Sequence, residues 1–253
     1  DCGSTSNEAI DFLNDNEIKS LIIYHHEINN PFPYSNSIII PKKDNGYKKY
    51  DYLCATSLSY FFLDIVIKEI KSEINISDYL IYVLLATVCD VMPLRKLNRL
   101  IALNALKNFD MTKNLPLKTL FELNDKKNKI NINDLGFLIG PILNAGGRLG
   151  KSQYATELLS SSNDQVIKDR SDHLIKLNNK RKDIETLILS EIDFQKIEKE
   201  NRDVIIYYDP NINEGLIGII AARLKDYFNK PSIVITVSND LLKGSARSIY
   251  DYN

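Results

Sequence analysis

The sequence predicts an α/β protein: a parallel-sheet domain with a helical part, then a long connector helix, then the start of a second α/β domain. Near the N-terminus, short apolar, β-branched segments alternate with helical ones, which is typical of a parallel sheet with crossover helices. The segment 163–200 contains neither Gly nor Pro and has an apolar stripe at helical spacing. After it, strand, helix and strand follow again. We therefore expect three parts, covering residues 1–162, 163–200 and 201–253.

The individual elements follow from the length and periodicity of the apolar segments. Short β-branched runs predict strands, and apolar residues three and four apart predict helices. A polar, lysine-rich stretch over 113–133 predicts a loop with one short helix. The predicted strands are 20–24, 37–40, 204–208 and 232–237, and the predicted helices are 7–14, 54–70, 78–88, 96–107, 117–123, 163–200 and 215–229.

Composition excludes several classes of protein. The 253 residues include 32 Lys and Arg against 33 Asp and Glu, a net charge of -1, so bulk charge cannot coat nucleic acid and any contact needs a local patch. The three cysteines form no CxxC spacing, which argues against a disulfide framework or a zinc site and favours a reducing cytoplasm. The longest apolar run, 79–88, is too short to span a bilayer, so we expect no membrane contact.

A metal site is the first candidate for chemistry. His25 and His26 directly follow a predicted strand, where adjacent side chains diverge and one imidazole can bind a metal while the other meets substrate. Asp90 lies in an apolar segment, where a buried carboxylate needs a cation or a hydrogen-bond partner. Asp1 precedes a helix, as a residue at a strand end would. Surface histidines and a helix-terminal Asp90 are the alternatives. Two carboxylates and an imidazole suit Mn²⁺ or Mg²⁺.

Three glycine-containing clusters are the second candidate, and each includes an arginine. In 144–150 two glycines precede Arg148, and in 243–248 Arg247 follows Gly244 and Ser245. Either cluster could cradle an anion with backbone amides and a guanidinium, or form a plain turn. In 214–223 glycines at a helix start could serve phosphate binding, although packing is the stronger interpretation there.

The ordered set of motifs resembles the RecJ family of single-strand-specific 5′→3′ exonucleases in the DHH phosphoesterase superfamily. The likeness covers essentially the whole chain. Each motif is weak alone, but their order is specific. The stretches that carry it are Asp1–Gly3, Tyr24–His26, Leu53–Ala55, Ala86–Leu94, Asn144–Leu149, Glu214–Ile219 and Gly244–Ser248.

The resemblance implies roles for single residues. Asp1, His25 and Asp90 would be metal ligands, with Asp90 and His26 also acting in catalysis, His26 facing the scissile phosphate. The nucleic-acid and phosphate contacts would come from Asn144, Arg148, Gly244, Ser245 and Arg247. The fold would be a DHH-type domain joined by the connector helix to a DHH-associated domain. The cofactor would be a pair of Mn²⁺ or Mg²⁺ ions.

Two positions depart from the family pattern. Tyr24 stands where the signature has aspartate, and a phenol cannot act as an anion near neutral pH. Asn213 stands where histidine is expected. The family's first aspartate motif and its C-terminal portion are also missing, so we expect a central fragment with little activity of its own.

The expected function is metal-dependent hydrolysis of single-stranded DNA in repair and recombination. The alternatives are a phosphodiesterase acting on short oligonucleotides and a non-catalytic DNA-binding or scaffold relative. We expect a cytoplasmic monomer whose partners are single-stranded DNA and a repair helicase or a single-strand-binding protein.

Overall fold

The computed structural model describes residues 6–27, 31–42, 48–126, 129–250 and 252. It divides into two compact units. The N-terminal unit comprises Asp1–Asp110 and Asn128–Gly140, and the C-terminal unit comprises Met111–Lys127 and Pro141–Asn253. The three-part division expected from the sequence stays a prediction. Within the described ranges, no helix combines the length and the apolar character that crossing a membrane requires.

The N-terminal unit combines a small parallel sheet with helices. Strands β1 and β2 pair in parallel, with Leu21 opposite Ser37 and Ile23 opposite Ile39, which confirms the predicted parallel pairing. The core is built from apolar faces of the helices, including the fully buried Leu84. The elements are α1 (Asn7–Asp15), β1 (Leu21–Ile23), β2 (Ser37–Ile39), α2 (Ala55–Glu69), α3 (Leu80–Cys89), α4 (Lys96–Asn108) and a π-helical turn (Asp134–Ile139).

The C-terminal unit packs helices around a mixed three-stranded sheet. The strand order is β3-β4-β5, with β3 parallel and β5 antiparallel to the central β4. Ile205 and Val234 of the sheet share a buried core with Ile220 and Leu224. The elements are α5 (Leu115–Glu122), α6 (Gly140–Arg148), α7 (Gln153–Ser160), α8 (Asp164–Glu191), α9 (Phe194–Glu200), β3 (Ile205–Tyr208), α10 (Ile217–Phe228), β4 (Ser232–Ser238) and β5 (Leu241–Arg247).

The prediction of one helix over 163–200 is wrong in detail. The chain forms α8 and α9, separated by Ile192 in an extended conformation (φ -75°, ψ 124°). Asp193 then begins α9, where its side chain accepts a hydrogen bond from the Lys196 amide at 2.9 Å. An aspartate at this position competes for backbone amides and favours a new helix start over continuation.

Two further segments differ from the sequence prediction. Residues 144–148 belong to α6, so they do not form the backbone anion cradle, because helical amides are already engaged. The predicted turn between helices falls on residues 149–150 only. Residues 244–247 belong to β5, so the turn and the loop-type cradle predicted there are wrong as well. The turn lies earlier: Asn239 and Asp240 both have positive φ (52° and 59°) and make a two-residue hairpin.

Candidate functional site

Asp90 lies at the C-terminal end of α3, which positions its carboxylate. The Val91 amide donates to the Val88 carbonyl at 3.1 Å, and the Met92 amide donates to the Thr87 carbonyl at 3.0 Å. These two bonds form a Schellman motif, with Val91 in the left-handed region at φ 54°. The helix thus ends at a fixed point, and Asp90 projects from its last turn.

The expectation that Asp90 is buried is wrong, because its side chain is 40% exposed. The apolar residues around it in sequence belong to α3, whose buried face does not include the helix end. The carboxylate instead lies at the negative end of the helix dipole, which disfavours an anion. A cation at this place would offset that unfavourable interaction.

His25 supplies the second group of the site. The Tyr24 amide donates to the Ile39 carbonyl at 3.0 Å, which continues the pairing of β1 and β2 up to the histidine. The His25 side chain is only 5% exposed, and its Nε2 lies 3.7 Å from Asp90 Oδ2. Burial lowers the pKa of His25, and His26 lowers it further while Asp90 opposes the shift. A neutral imidazole, the form that binds metals, is therefore favoured.

His26 lies beside His25 but is exposed. The two imidazole rings are 4.1 Å apart between centroids and tilted by 45°, and the Tyr24 ring lies 5.2 Å from that of His26. His25 is thus buried and His26 is open to solvent, but their rings stay in contact, whereas the sequence analysis expected the two side chains to diverge. A phenol occupies the place where the resemblance expects a carboxylate.

The His25–Asp90 pair fits a divalent cation as part of a ligand set. One divalent cation could contact both atoms, because they are only 3.7 Å apart and both are ligand types that Mn²⁺ or Mg²⁺ accepts. Asp1, the third predicted ligand, lies outside the described residues. Within the described part of the chain, no group of three or more His, Cys, Asp or Glu side chains is arranged to hold a metal. The described residues thus bring together two candidate ligands, His25 and Asp90.

Arg148 is the first predicted phosphate-binding residue that the structure locates in the C-terminal unit. It ends α6, and its Nη1 donates to the Gly215 carbonyl at 3.0 Å. Gly146, two residues before it, allows close packing, because a Cβ there would lie 2.5 Å from the Lys151 carbonyl oxygen. Asn144 is exposed on the same helix. The segment thus presents a guanidinium held from a helix end.

Ser245 and Arg247 lie on the face of the sheet that contacts α10. They pair with the buried Val234 and Ser232 of β4, and a Cβ on Gly218 would lie 2.8 Å from Arg247 Nη2 and 3.1 Å from Ser245 Oγ. Gly218 therefore leaves room for these side chains in the first turn of α10. Side chains alternate along a strand, so Gly244 lies on the opposite face and is not part of this group.

The sequence analysis missed a buried carboxylate in the same unit. Glu185 on α8 accepts from Arg181 Nη1 at 2.9 Å and from Arg223 Nε at 2.7 Å. Burial lowers the pKa of Arg148, and the nearby Arg181 and Arg247 lower it further while Glu185 opposes them. These four arginines and the one glutamate, which we call the arginine cluster, carry a net positive charge. The i,i+4 spacing of Arg181 and Glu185 is the sequence pattern that could have predicted this ion pair.

Comparison with known proteins finds similar proteins that carry the same name. The chain is 29% identical over 265 residues to the single-stranded-DNA-specific exonuclease RecJ of Haemophilus influenzae, a match covering 98% of this chain and 46% of that protein. It is 36% identical over 188 residues to the RecJ of Escherichia coli K12, covering 69% of this chain and 32% of that protein. The chain thus spans less than half the length of these relatives. No protein-family model matches it.

A solved structure shares the fold. The crystal structure of RecJ in complex with Mn²⁺ from Thermus thermophilus matches 98% of this chain and 37% of that one, with a TM-score of 0.85 and 22% identity. The sequence likeness extends over nearly all of the chain, and the shared fold agrees with the predicted parallel-sheet class. The chain is therefore a relative of the RecJ exonucleases and has their fold.

Proposed function

We propose that this chain is the metal-binding and phosphate-binding part of a single-strand-specific DNA exonuclease that uses Mn²⁺ or Mg²⁺ and acts in DNA repair and recombination. The observation that carries the proposal is the placement of His25 Nε2 3.7 Å from Asp90 Oδ2, between a strand end and a helix end. The names of the relatives support the substrate class. The expected setting is the cytoplasm, as a monomer that meets a repair helicase or a single-strand-binding protein.

The residues of the N-terminal unit would hold the ions. His25 would bind through its neutral Nε2 and Asp90 through its carboxylate, with Asp1 as a further ligand. When bound, such ions activate water and stabilise charge on a phosphoryl group. His26, exposed beside His25, would contact the phosphate that is cleaved.

The residues of the C-terminal unit would bind the strand. Arg148, Arg247 and Ser245 supply donors that suit phosphate oxygens, and Arg forks onto such groups in a bidentate manner. Phosphate contacts fix the register of a strand without specifying its sequence. Binding of this kind agrees with an enzyme that degrades strands of any sequence. Asn144 and Gly244 remain predicted contacts, although Gly244 lies on the face of the sheet opposite Ser245 and Arg247.

The metal part of the proposal is tested by Mn²⁺ binding, followed through the electron paramagnetic resonance signal of the free ion. We expect His25→Ala and Asp90→Asn to weaken Mn²⁺ binding strongly. The matched control is His173→Ala, which removes an exposed histidine from α8. If the wild-type chain binds Mn²⁺ no better than the Asp90→Asn variant, the proposed metal site at His25 and Asp90 is refuted.

The chain by itself is expected to digest DNA slowly at best. Hard divalent ions take about six ligands each, and the described residues bring together only His25 and Asp90 as candidate ligands. The measurement is incubation with labelled single-stranded DNA and Mn²⁺, beside a chelated sample. Rapid, chelator-sensitive digestion that disappears in His25→Ala would contradict this prediction, and would show a more complete site.

The strand-binding part is tested by the salt dependence of binding to single-stranded DNA. Each phosphate contact on a single strand contributes about 0.7 to the slope of log affinity against log salt. We expect Arg247→Gln to lower the magnitude of that slope by about 0.7, the contribution of one phosphate contact. The control Arg202→Gln alters an exposed arginine paired with Glu200 and should leave the slope unchanged. An unchanged slope in Arg247→Gln would contradict the assignment.

A non-catalytic DNA-binding relative is the second candidate, and two observations favour it. Tyr24 replaces the signature carboxylate beside the histidines. Asn213 replaces an expected histidine, and its Oδ1 accepts from the Gly215 amide at 2.8 Å, a turn-forming role. Tyr24→Asp separates the candidates: tighter Mn²⁺ binding together with the appearance of nuclease activity favours the enzyme. A third candidate, a phosphodiesterase for short oligonucleotides, would prefer substrates of a few nucleotides over long strands.

A further inference from the structure

Asn98 is a fully buried amide with an unusual set of hydrogen bonds. It lies in the first turn of α4 and is 0% exposed. Its Nδ2 donates to the Tyr52 carbonyl at 2.7 Å and to the Pro93 carbonyl at 3.1 Å. Its Oδ1 has no hydrogen-bond partner among the described residues. A buried acceptor left unpaired costs stability, so a residue chosen for packing alone would be apolar. The two donated bonds are therefore the reason for an amide here.

The hydrogen bond to the Tyr52 carbonyl supports the segment that precedes His25. Tyr52 and Leu53 belong to a buried apolar cluster, and Ile23 packs against this cluster. Ile23 ends β1 and lies two residues before His25. The Tyr52 carbonyl thus belongs to the structure that holds the end of β1 in place.

The hydrogen bond to the Pro93 carbonyl supports the segment that follows Asp90. Pro93 follows Asp90 by three residues, directly after the Schellman motif. Val91 of that motif has φ 54°, a conformation that β-branched residues rarely adopt. A turn of this kind persists only where its surroundings hold it. The Pro93 carbonyl also accepts from the Arg95 amide at 2.9 Å, a local bond that ties the turn only to itself. Asn98 instead links the turn by hydrogen bonds to the Tyr52 carbonyl, 46 residues away in sequence.

We propose that Asn98 is a positioning residue that fixes the spacing between His25 and Asp90. The Asn98 amide group bonds to both supporting segments: Tyr52 lies 46 residues before Asn98 in the sequence, and Pro93 lies five residues before it. A site whose supporting groups are loose binds its ligand poorly, and loss of outer contacts to metal ligands weakens binding or activity by about 10- to 100-fold. The expected effect of Asn98 on metal binding rests on the proposed function. Its role in holding the two supporting segments together does not.

The experiment compares Asn98→Leu with Asn104→Leu in the 253-residue chain. Leucine has nearly the shape of asparagine and removes both donors. Asn104→Leu makes the same substitution on the same helix and removes one hydrogen bond, from Asn104 Nδ2 to the Leu100 carbonyl at 3.0 Å, which involves neither supporting segment. Amide hydrogen exchange at Val91 and Met92 reports the turn, and Mn²⁺ affinity reports the pair.

We expect Asn98→Leu to speed exchange at Val91 and Met92 more than at α3, and to weaken Mn²⁺ binding by about 10- to 100-fold. Asn104→Leu should change neither the exchange at Val91 and Met92 nor the Mn²⁺ affinity selectively. If Asn98→Leu does not fold, Asn98→Asp serves: a protonated carboxyl donates one hydrogen bond at most, so we expect partial loss of protection. Unchanged protection of Met92 in the folded variant, or an equal change in Asn104→Leu, would overturn the proposal. A wild-type chain that binds no Mn²⁺ would refute the proposed function alone, since exchange still decides the role of Asn98.

Discussion

Replacement of Glu185 by glutamine should destabilise the C-terminal unit substantially. The Glu185 side chain is 8% exposed and its partner Arg181 is 12% exposed, so the pair is removed from water. Breaking a buried pair by removing one charge costs about 3–5 kcal/mol, because the remaining charge is left uncompensated. Arg223 is 58% exposed, and its share is about 0–1 kcal/mol. Glutamine keeps one acceptor oxygen, so we expect a loss of about 3 kcal/mol.

The assay is urea unfolding, followed by circular dichroism and by the fluorescence of the 14 tyrosines, since the chain has no tryptophan. Two units need not unfold together, so hydrogen exchange at α8 and α10 assigns the loss to the C-terminal unit. Arg223→Gln is the matched control, because it removes the exposed partner of the same carboxylate. A loss below about 1 kcal/mol in Glu185→Gln, or one equal to that of Arg223→Gln, would refute the reasoning.

Three further substitutions test local geometry by thermal and urea unfolding. Val91→Gly should stabilise the chain by about 1 kcal/mol, because glycine adopts the positive φ of this position without steric cost; destabilisation would contradict the assigned helix end. Gly146→Ala should destabilise by about 1–3 kcal/mol, because its Cβ would lie 2.5 Å from the Lys151 carbonyl oxygen; a neutral effect would show that α6 packs differently. Asp240→Gly should stabilise the hairpin of β4 and β5 by about 0.5–1 kcal/mol, and a loss would argue against the two-residue turn.

The sequence by itself determined the parts of the fold that depend on local pattern. Short β-branched runs at 20–24 and 37–40 predicted strands, and the helical spacing after Cys54 predicted α2 to α4 within a few residues. The order of the motifs also pointed to the correct relatives. It placed His25 and Asp90 in one site, although the direct observation of their contact needed coordinates. Periodicity and motif order are properties of the chain alone, so they survive without tertiary information.

Only the tertiary structure decided which groups meet. Glycines at 146 and 147 suggested a turn, but both lie in α6, where Gly146 packs against Lys151 and Leu174. The exposed strand β5 forms because β4 supplies a hydrogen-bonding edge. The burial of Glu185 between two arginines and the bonds of Asn98 join residues up to 46 positions apart. Such contacts depend on which surfaces pack together, and a local pattern of apolar and polar residues carries no information about that choice.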